Sequence, residues 1–318
     1  MRKIIGIGES VLDILFRDGQ PVAAVPGGSV FNAMVSLGRC GAQAEIISIV
    51  GDDRIGTITT DFLRQNGVGT DCVQVTHGQQ SPLSLAFLDE HNDADYLFYR
   101  DSKTGQPFVP YPSPLPDIHA DDIVLIGSFY AVDPVRREQV GALLEKARQA
   151  GAIIYYDVNF RPSHQGDVLR IQPNLMENYE YADIVRASTD DFSVLYAQTD
   201  VSEVFRSKVS FYCDNLVATD GPRPVRVLTR SGVDKDYAVA TDRPPVSTVG
   251  AGDNFNAGLI FALLRQNITR GMIANGLSEG QWDALVAMGQ RFAAESCRDI
   301  YNYVSEDFAR HIQGRQLF

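Results

Sequence analysis

The chain lacks the features that mark several protein classes. Its four cysteines, Cys40, Cys72, Cys213 and Cys297, are scattered, with no CxxC pair and no His/Cys spacing suited to a metal. That argues against a disulfide scaffold or a zinc module and fits a reduced, cytoplasmic setting. No apolar run approaches a membrane span, and the apolar stretch after Met1-Arg2-Lys3 is too short for a signal peptide. Basic residues are scarce: 28 Lys and Arg against 40 Asp and Glu give a formal net charge of −12. This argues against a nucleic-acid surface but not against a nucleotide, whose phosphates need only local donors. No G-x-G-x-x-G opens the first helix, so a dinucleotide-binding oxidoreductase is a poor reading. Internal repeats and low-complexity linkers are missing too.

What is there is ordinary globular material: 318 residues, 44% apolar and 21% charged, enough for an ample core. Short apolar strands are predicted at 3–8, 45–50, 122–127 and 152–156, and a further strand at 225–229. Helical spacing is predicted over 29–37, 55–66 and about 134–150. Alternation of this kind indicates a parallel sheet covered by helices. Residues 84–88 and 96–99 flank a polar turn and read as a hairpin standing away from the core. After a turn at 229–232, residues 236–240 pair back. The last third is helical, with an apolar stripe of Leu285, Met288, Phe292 and Ala293 that suits core packing, while Gly289 and Ala293 leave room for an adenine.

One stretch carries the chemistry: Ser247-Thr248-Val249-Gly250-Ala251-Gly252-Asp253-Asn254-Phe255. Its glycines predict a turn opening a buried helix, whose N-terminal N–H groups and dipole suit an anion. Asp253 in the first helical turn is either a common helix-start residue or a base that takes a proton from a hydroxyl attacking phosphorus. Asp13 is a solvated turn residue or a carboxylate gripping sugar hydroxyls at a strand end. Gly28 allows close backbone approach, Ser29 can cap the helix that follows, and Asn32 offers donors and an acceptor to hydroxyls; a plain helix start is the competing account. Arg161, in Asp157-Val158-Asn159-Phe160-Arg161, is paired with Asp157 or holds a phosphoryl group in bidentate fashion. Asp52 and Asp53 are assigned no chemistry.

These strings resemble the ribokinase-like (PfkB) carbohydrate kinase family, in family order over nearly the whole chain. Thr248 through Ile260 is similar to its second signature, Asp-Thr-x-Gly-Ala-Gly-Asp-x-Phe, with a departure at Ser247. Gly27-Gly28 and Asn32 are similar to its first, with a departure at Val30, and Asp157, Asn159 and Arg161 match its Asp-x-Asn-x-Arg string. The resemblance implies an α/β fold: one ribokinase-like three-layer α/β/α domain over 1–318, with a mostly parallel central sheet. A small β lid would be inserted from about 14–25 and 83–100 and would exclude water. It implies ATP-dependent phosphorylation of a sugar hydroxyl with Mg²⁺. Asp253 would be the base, Gly250, Ala251 and Gly252 the anion turn, and Arg161 the phosphoryl clamp. Asp13, Gly28, Asn32 and Arg100 would orient the sugar. Ser188, Thr229, Ser231, Gly232, Gly250 and Gly252 would face the nucleotide. Asp191 would reach the metal through water, or Ser188 simply caps a helix. The family often uses a monovalent cation beside the signature Asp, and Ser247 argues against potassium activation here. The motifs look most like fructokinases, with 2-keto-3-deoxygluconate kinase and then ribose or nucleoside kinases as alternatives. A non-catalytic sugar or nucleotide sensor on the same fold is the reading from another class. A homodimer through the lid is a further implication.

Overall fold

A computed structural model describes residues 2–89, 94–99, 115–240 and 243–314. The strands are β1 (Lys3–Ile7), β2 (Val11–Arg17), β3 (Gln20–Gly27), β4 (Gln43–Gly51), β5 (Val68–Gly69), β6 (Val73–Thr76), β7 (Leu83–Leu88), β8 (Ala94–Tyr99), β9 (Ile123–Gly127), β10 (Ile153–Asp157), β11 (Ile184–Ser188), β12 (Asn215–Asp220), β13 (Arg223–Thr229) and β14 (Asp234–Tyr237). The large sheet runs β14-β13-β12-β11-β10-β9-β1-β4-β5, and β6 also pairs with β4. From β4 to β12 the neighbours are parallel; β12, β13 and β14 are antiparallel.

The central strands are apolar on both faces, and alternate residues belong to two different cores. Ile4, Ile123, Leu125, Ile153 and Tyr155 point to one, with the helices Ser29–Arg39, Ala251–Arg265 and Glu279–Ser296. Ile5, Ile7, Val124, Ile126, Ile154 and Tyr156 point to the other, with Arg137–Ala150 and Val168–Tyr181. Period-two side chains on a doubly covered sheet give three layers. Each fully buried Ile contributes roughly 1.5–3 kcal/mol relative to exposure.

A second sheet, β3-β2-β7-β8, stands apart. Its outer pairs are antiparallel, while β2 and β7 run parallel.

Several local expectations are corrected. The helix after Gly28 is capped by the Gly28 backbone with no side-chain bond, so Ser29 is its first residue rather than its cap. Gly28 has φ 127, and a Cβ there would meet the Glu9 carbonyl oxygen at 2.2 Å, so no side chain fits. Asp53 does cap Arg54–Gln65, accepting from Gly56 N at 2.7 Å. The strand expected at 236–240 is β14, which begins two residues earlier and ends three earlier. The room expected at Gly289 is filled: a Cβ there would lie 2.8 Å from the Phe255 ring, because the Glu279–Ser296 helix packs closely on Ala251–Arg265.

Candidate active site

Gly250 ends the loop before the Ala251–Arg265 helix in a left-handed conformation, φ 77, which lets the chain enter the helix abruptly. Ala251 N–H is already used, donating to Thr248 O at 3.1 Å. The N–H groups of Gly252 and Asp253 lie in the first turn, where a helix supplies no internal acceptor. Gly250, Gly252 and Asp253 line a cleft of about 360 Å³ at the carboxyl ends of β10 and β11. Ligands bind at this end of parallel sheets.

Asp253 is 7% exposed and accepts a 2.8 Å hydrogen bond from Asn32 Nδ2. Burial pushes its pKa up to about 6; the Asn32 bond pulls it down, and the nearby Asp157 charge raises it. Asp13 is also buried and raised to about 6, chiefly by burial, with the Ser84 hydroxyl and Arg161 pulling the other way. Asp13 is not at a strand end. It is the third residue of β2, and Ser84 on the paired strand β7 donates to it. The Asp253 charge adds to the rise at Asp13, and Arg161 lowers both carboxyls, so the three belong to one electrostatic cluster.

Arg161 lines the cleft with its guanidinium carbon 5.3 Å from the centre of the Tyr96 ring on β8. Asp157 is not its partner: the 2.9 Å ion pair of Asp157 is with Arg186 Nη1. Arg186 Nη2 donates to Thr219 Oγ1 at 2.5 Å, and a Cβ on Gly252 would lie only 3.1 Å from it. Burial alone would lower the Arg186 pKa, but Asp157 and Asp191 more than offset that. A permanent positive charge therefore lies directly against the anion turn.

Ser188 and Asp191 form a reciprocal capping box at the start of Thr189–Tyr196. Asp191 Oδ2 accepts from Ser188 N at 2.6 Å and Oδ1 from Phe160 N at 2.7 Å. Both side chains border the cleft. Thr229, Ser231 and Gly232 are not among the residues lining it. Thr229 Oγ1 is 2.9 Å from Ser231 Oγ, and Val233 N donates to it at 2.9 Å. Arg100 lies outside the described residues. Ser247 is 2% exposed and its Oγ accepts from Val249 N at 3.2 Å.

Three cleft or near-cleft residues escaped the sequence reading. Arg186 left a signal: a cation inside the otherwise apolar strand Ile-Val-Arg-Ala must be paired when buried. Tyr96 left only an aromatic in a hairpin, and Ser84 only an ordinary alternation.

The comparisons agree with this architecture. A family model described as pfkB family carbohydrate kinase matches residues 7–305. Curated relatives include a probable fructokinase-4 of Arabidopsis thaliana, 26% identical with 82% of each chain covered. A fructokinase of Klebsiella pneumoniae is 26% identical, covering 86% of this chain and 88% of its own. Among solved structures, Vibrio cholerae fructokinase with fructose, ADP and calcium superposes with a TM-score of 0.82 at 18% identity, covering 98% and 99% of the two chains. Aminoimidazole riboside kinase of Salmonella enterica, with its riboside and an ATP analogue, gives 0.81 at 21%, covering 98% and 100%. With a family match over nearly its full length on a ribokinase-like fold, this chain belongs to the pfkB family of carbohydrate kinases.

Proposed function

We propose that this sugar kinase transfers the γ-phosphoryl group of ATP to a hydroxyl of fructose, giving fructose 6-phosphate. The observation that carries the reading is the buried Asp253 carboxylate, one residue after the Gly252 turn and facing the same cleft as Arg161 and Arg186. Asp253 with a pKa near 6 is ionised at neutral pH yet close enough to it to take a proton efficiently. It would accept the hydroxyl proton as the oxygen attacks phosphorus. The N–H groups of Gly252 and Asp253, and Arg186 behind them, favour the charge growing on the phosphoryl oxygens. Arg161, which lines the cleft, would hold those oxygens.

Asp13 and Asn32 would orient the sugar. Asn32 Oδ1 is buried with no protein partner among the described residues, which suits a hydroxyl donor. Gly28 acts through its backbone. Among the described residues no cluster of three or more His, Cys, Asp or Glu side chains could cage a metal. That fits Mg²⁺, which keeps waters and binds chiefly through substrate phosphates. Asp191, with backbone N–H on both oxygens, would meet it only through water. Mg²⁺ supplies neutralisation of phosphate charge when bound. Ser188 would border the nucleotide phosphates; Thr229, Ser231 and Gly232 would lie farther along the nucleotide.

The β3-β2-β7-β8 sheet would close over the sugar. Leu97, Phe98 and Tyr99 on β8 are 50%, 44% and 56% exposed, and pairing of two copies through this sheet would cover them. Fructose ranks first because curated relatives of this chain include fructokinases, at 24–27% identity. 2-Keto-3-deoxygluconate is the second reading, in which Arg100, outside the described residues, would meet the sugar-acid carboxylate. A panel of fructose, 2-keto-3-deoxygluconate, ribose and nucleosides with coupled ADP detection decides between them. Sugar binding without turnover on any of them would favour a sensor.

A further inference from the structure

Asp253 and Asn254 are consecutive, and both are tied to the Ser29–Arg39 helix. Asn32 donates to Asp253 at 2.8 Å, and Ser36, one turn later, donates its hydroxyl to Asn254 Oδ1 at 2.5 Å. Residues four apart share a helix face, so the two bonds form adjacent rungs between the same pair of helices. Asn254 is fully buried, and its amide is fully used. Nδ2 donates to Gly250 O at 2.8 Å and to Asn302 O at 2.8 Å. The amide orientation follows from its partners, since the reverse would set its oxygen against two carbonyls.

The 302–304 segment closes the circuit. Val304 N donates to Ser36 Oγ at 3.1 Å, and the Tyr303 hydroxyl donates to Pro26 O, just before Gly28. Gly250 is seated against this segment, 3.0 Å separating its would-be Cβ from Asn302 O. The turn that would receive the phosphoryl group and the loop that would receive the sugar are thus fastened through one side chain.

We propose that Asn254 is a positioning residue: it holds the Gly250–Gly252 turn in register with the sugar-side helix, so that the anion donors face the phosphoryl oxygens while Asp253 faces the hydroxyl that attacks the phosphorus. The proposal rests on the kinase reading. The residue is buried and does not line the cleft, so its loss should fall on the transition state and spare ground-state binding.

The test compares wild type, Asn254→Asp and Ser36→Ala with ATP, Mg²⁺ and the panel sugar that wild type turns over. Asn254→Asp keeps the shape but loses both donors. Its kcat should fall at least tenfold, with KM for sugar and ATP within threefold of wild type. Affinity for ADP with aluminium fluoride and sugar, a phosphoryl-transfer mimic, should fall with kcat, while affinity for ADP alone stays level. Ser36→Ala removes one rung and should lower kcat three- to tenfold with the same pattern; it decides the matter if Asn254→Asp does not fold. An active wild type whose folded variants keep kcat within threefold, or lose ADP affinity equally, overturns this inference alone. A wild type inactive on every panel sugar overturns the kinase reading and this inference with it.

Discussion

Replacing Asp253 by Asn should cost activity and raise stability together. In the folded chain burial lifts the Asp253 pKa from 3.8 to about 6. A raised carboxyl pKa means the folded state holds its proton more tightly than the unfolded state does. Its contribution is therefore most favourable below pH 3.8 and is lost as pH rises through 6. At pH 7.5 the ionised, buried carboxylate disfavours folding by about two pKa shifts of 1.36 kcal/mol, or ~3 kcal/mol. Asn is neutral and can still accept from Asn32, so it removes this penalty without leaving that donor unpaired. With an unfolding entropy of about 2.1 cal/mol/K per residue, 318 residues turn ~3 kcal/mol into a rise of ~4 °C in Tm. The same substitution removes the base, which is worth roughly 10²–10⁴ in rate. Thermal melts and ADP release on one preparation test both. Near pH 4.5 the stability gap should shrink to ~1 kcal/mol, as the wild-type carboxyl becomes protonated in the fold. A variant no more stable than wild type at pH 7.5, or one within a few-fold of its activity, refutes the reasoning.

Other consequences follow from the same geometry. The kcat–pH profile should show an acid limb near pH 6, activity being present above it and lost below, where Asp253 is protonated; a flat profile down to pH 5 would argue for another base. Arg186→Ala strands the Asp157 carboxylate, 1% exposed, and should cost about 3–5 kcal/mol in urea denaturation, whereas changing both residues to uncharged ones should cost less. Arg161→Ala, by contrast, removes a cleft-facing cation that no ion pair holds among the described residues, so Tm should stay within ~2 °C while kcat/KM falls at least tenfold.

The layers were readable because the central strands are continuous apolar runs and the helices are periodic; both patterns follow from burial on two faces. The anion turn was readable because only glycine suits φ 77 at Gly250. The Asp157 partner was not, since ion pairing across neighbouring strands depends on register: Asp157 faces Arg186 because β10 and β11 pair in parallel at that step. Ser29 looked like a cap because its residue type favours that position, but the glycine before it already supplies the required backbone geometry. The Asn254 ladder was hidden for a similar reason. Ser36 and Asn302 are distant in sequence, and an Asn inside a helix carries no sign of the two carbonyls it will bridge.

One assay bears hardest on the whole reading: the products formed from ATP, Mg²⁺ and D-fructose, resolved by ³¹P NMR. One phosphorylated fructose per ADP, with no inorganic phosphate and no product from Asp253→Asn, is the expected result. ADP appearing with inorganic phosphate alone, or phosphofructose at an undiminished rate from the variant, would show that Asp253 and its anion turn do not direct transfer to the sugar.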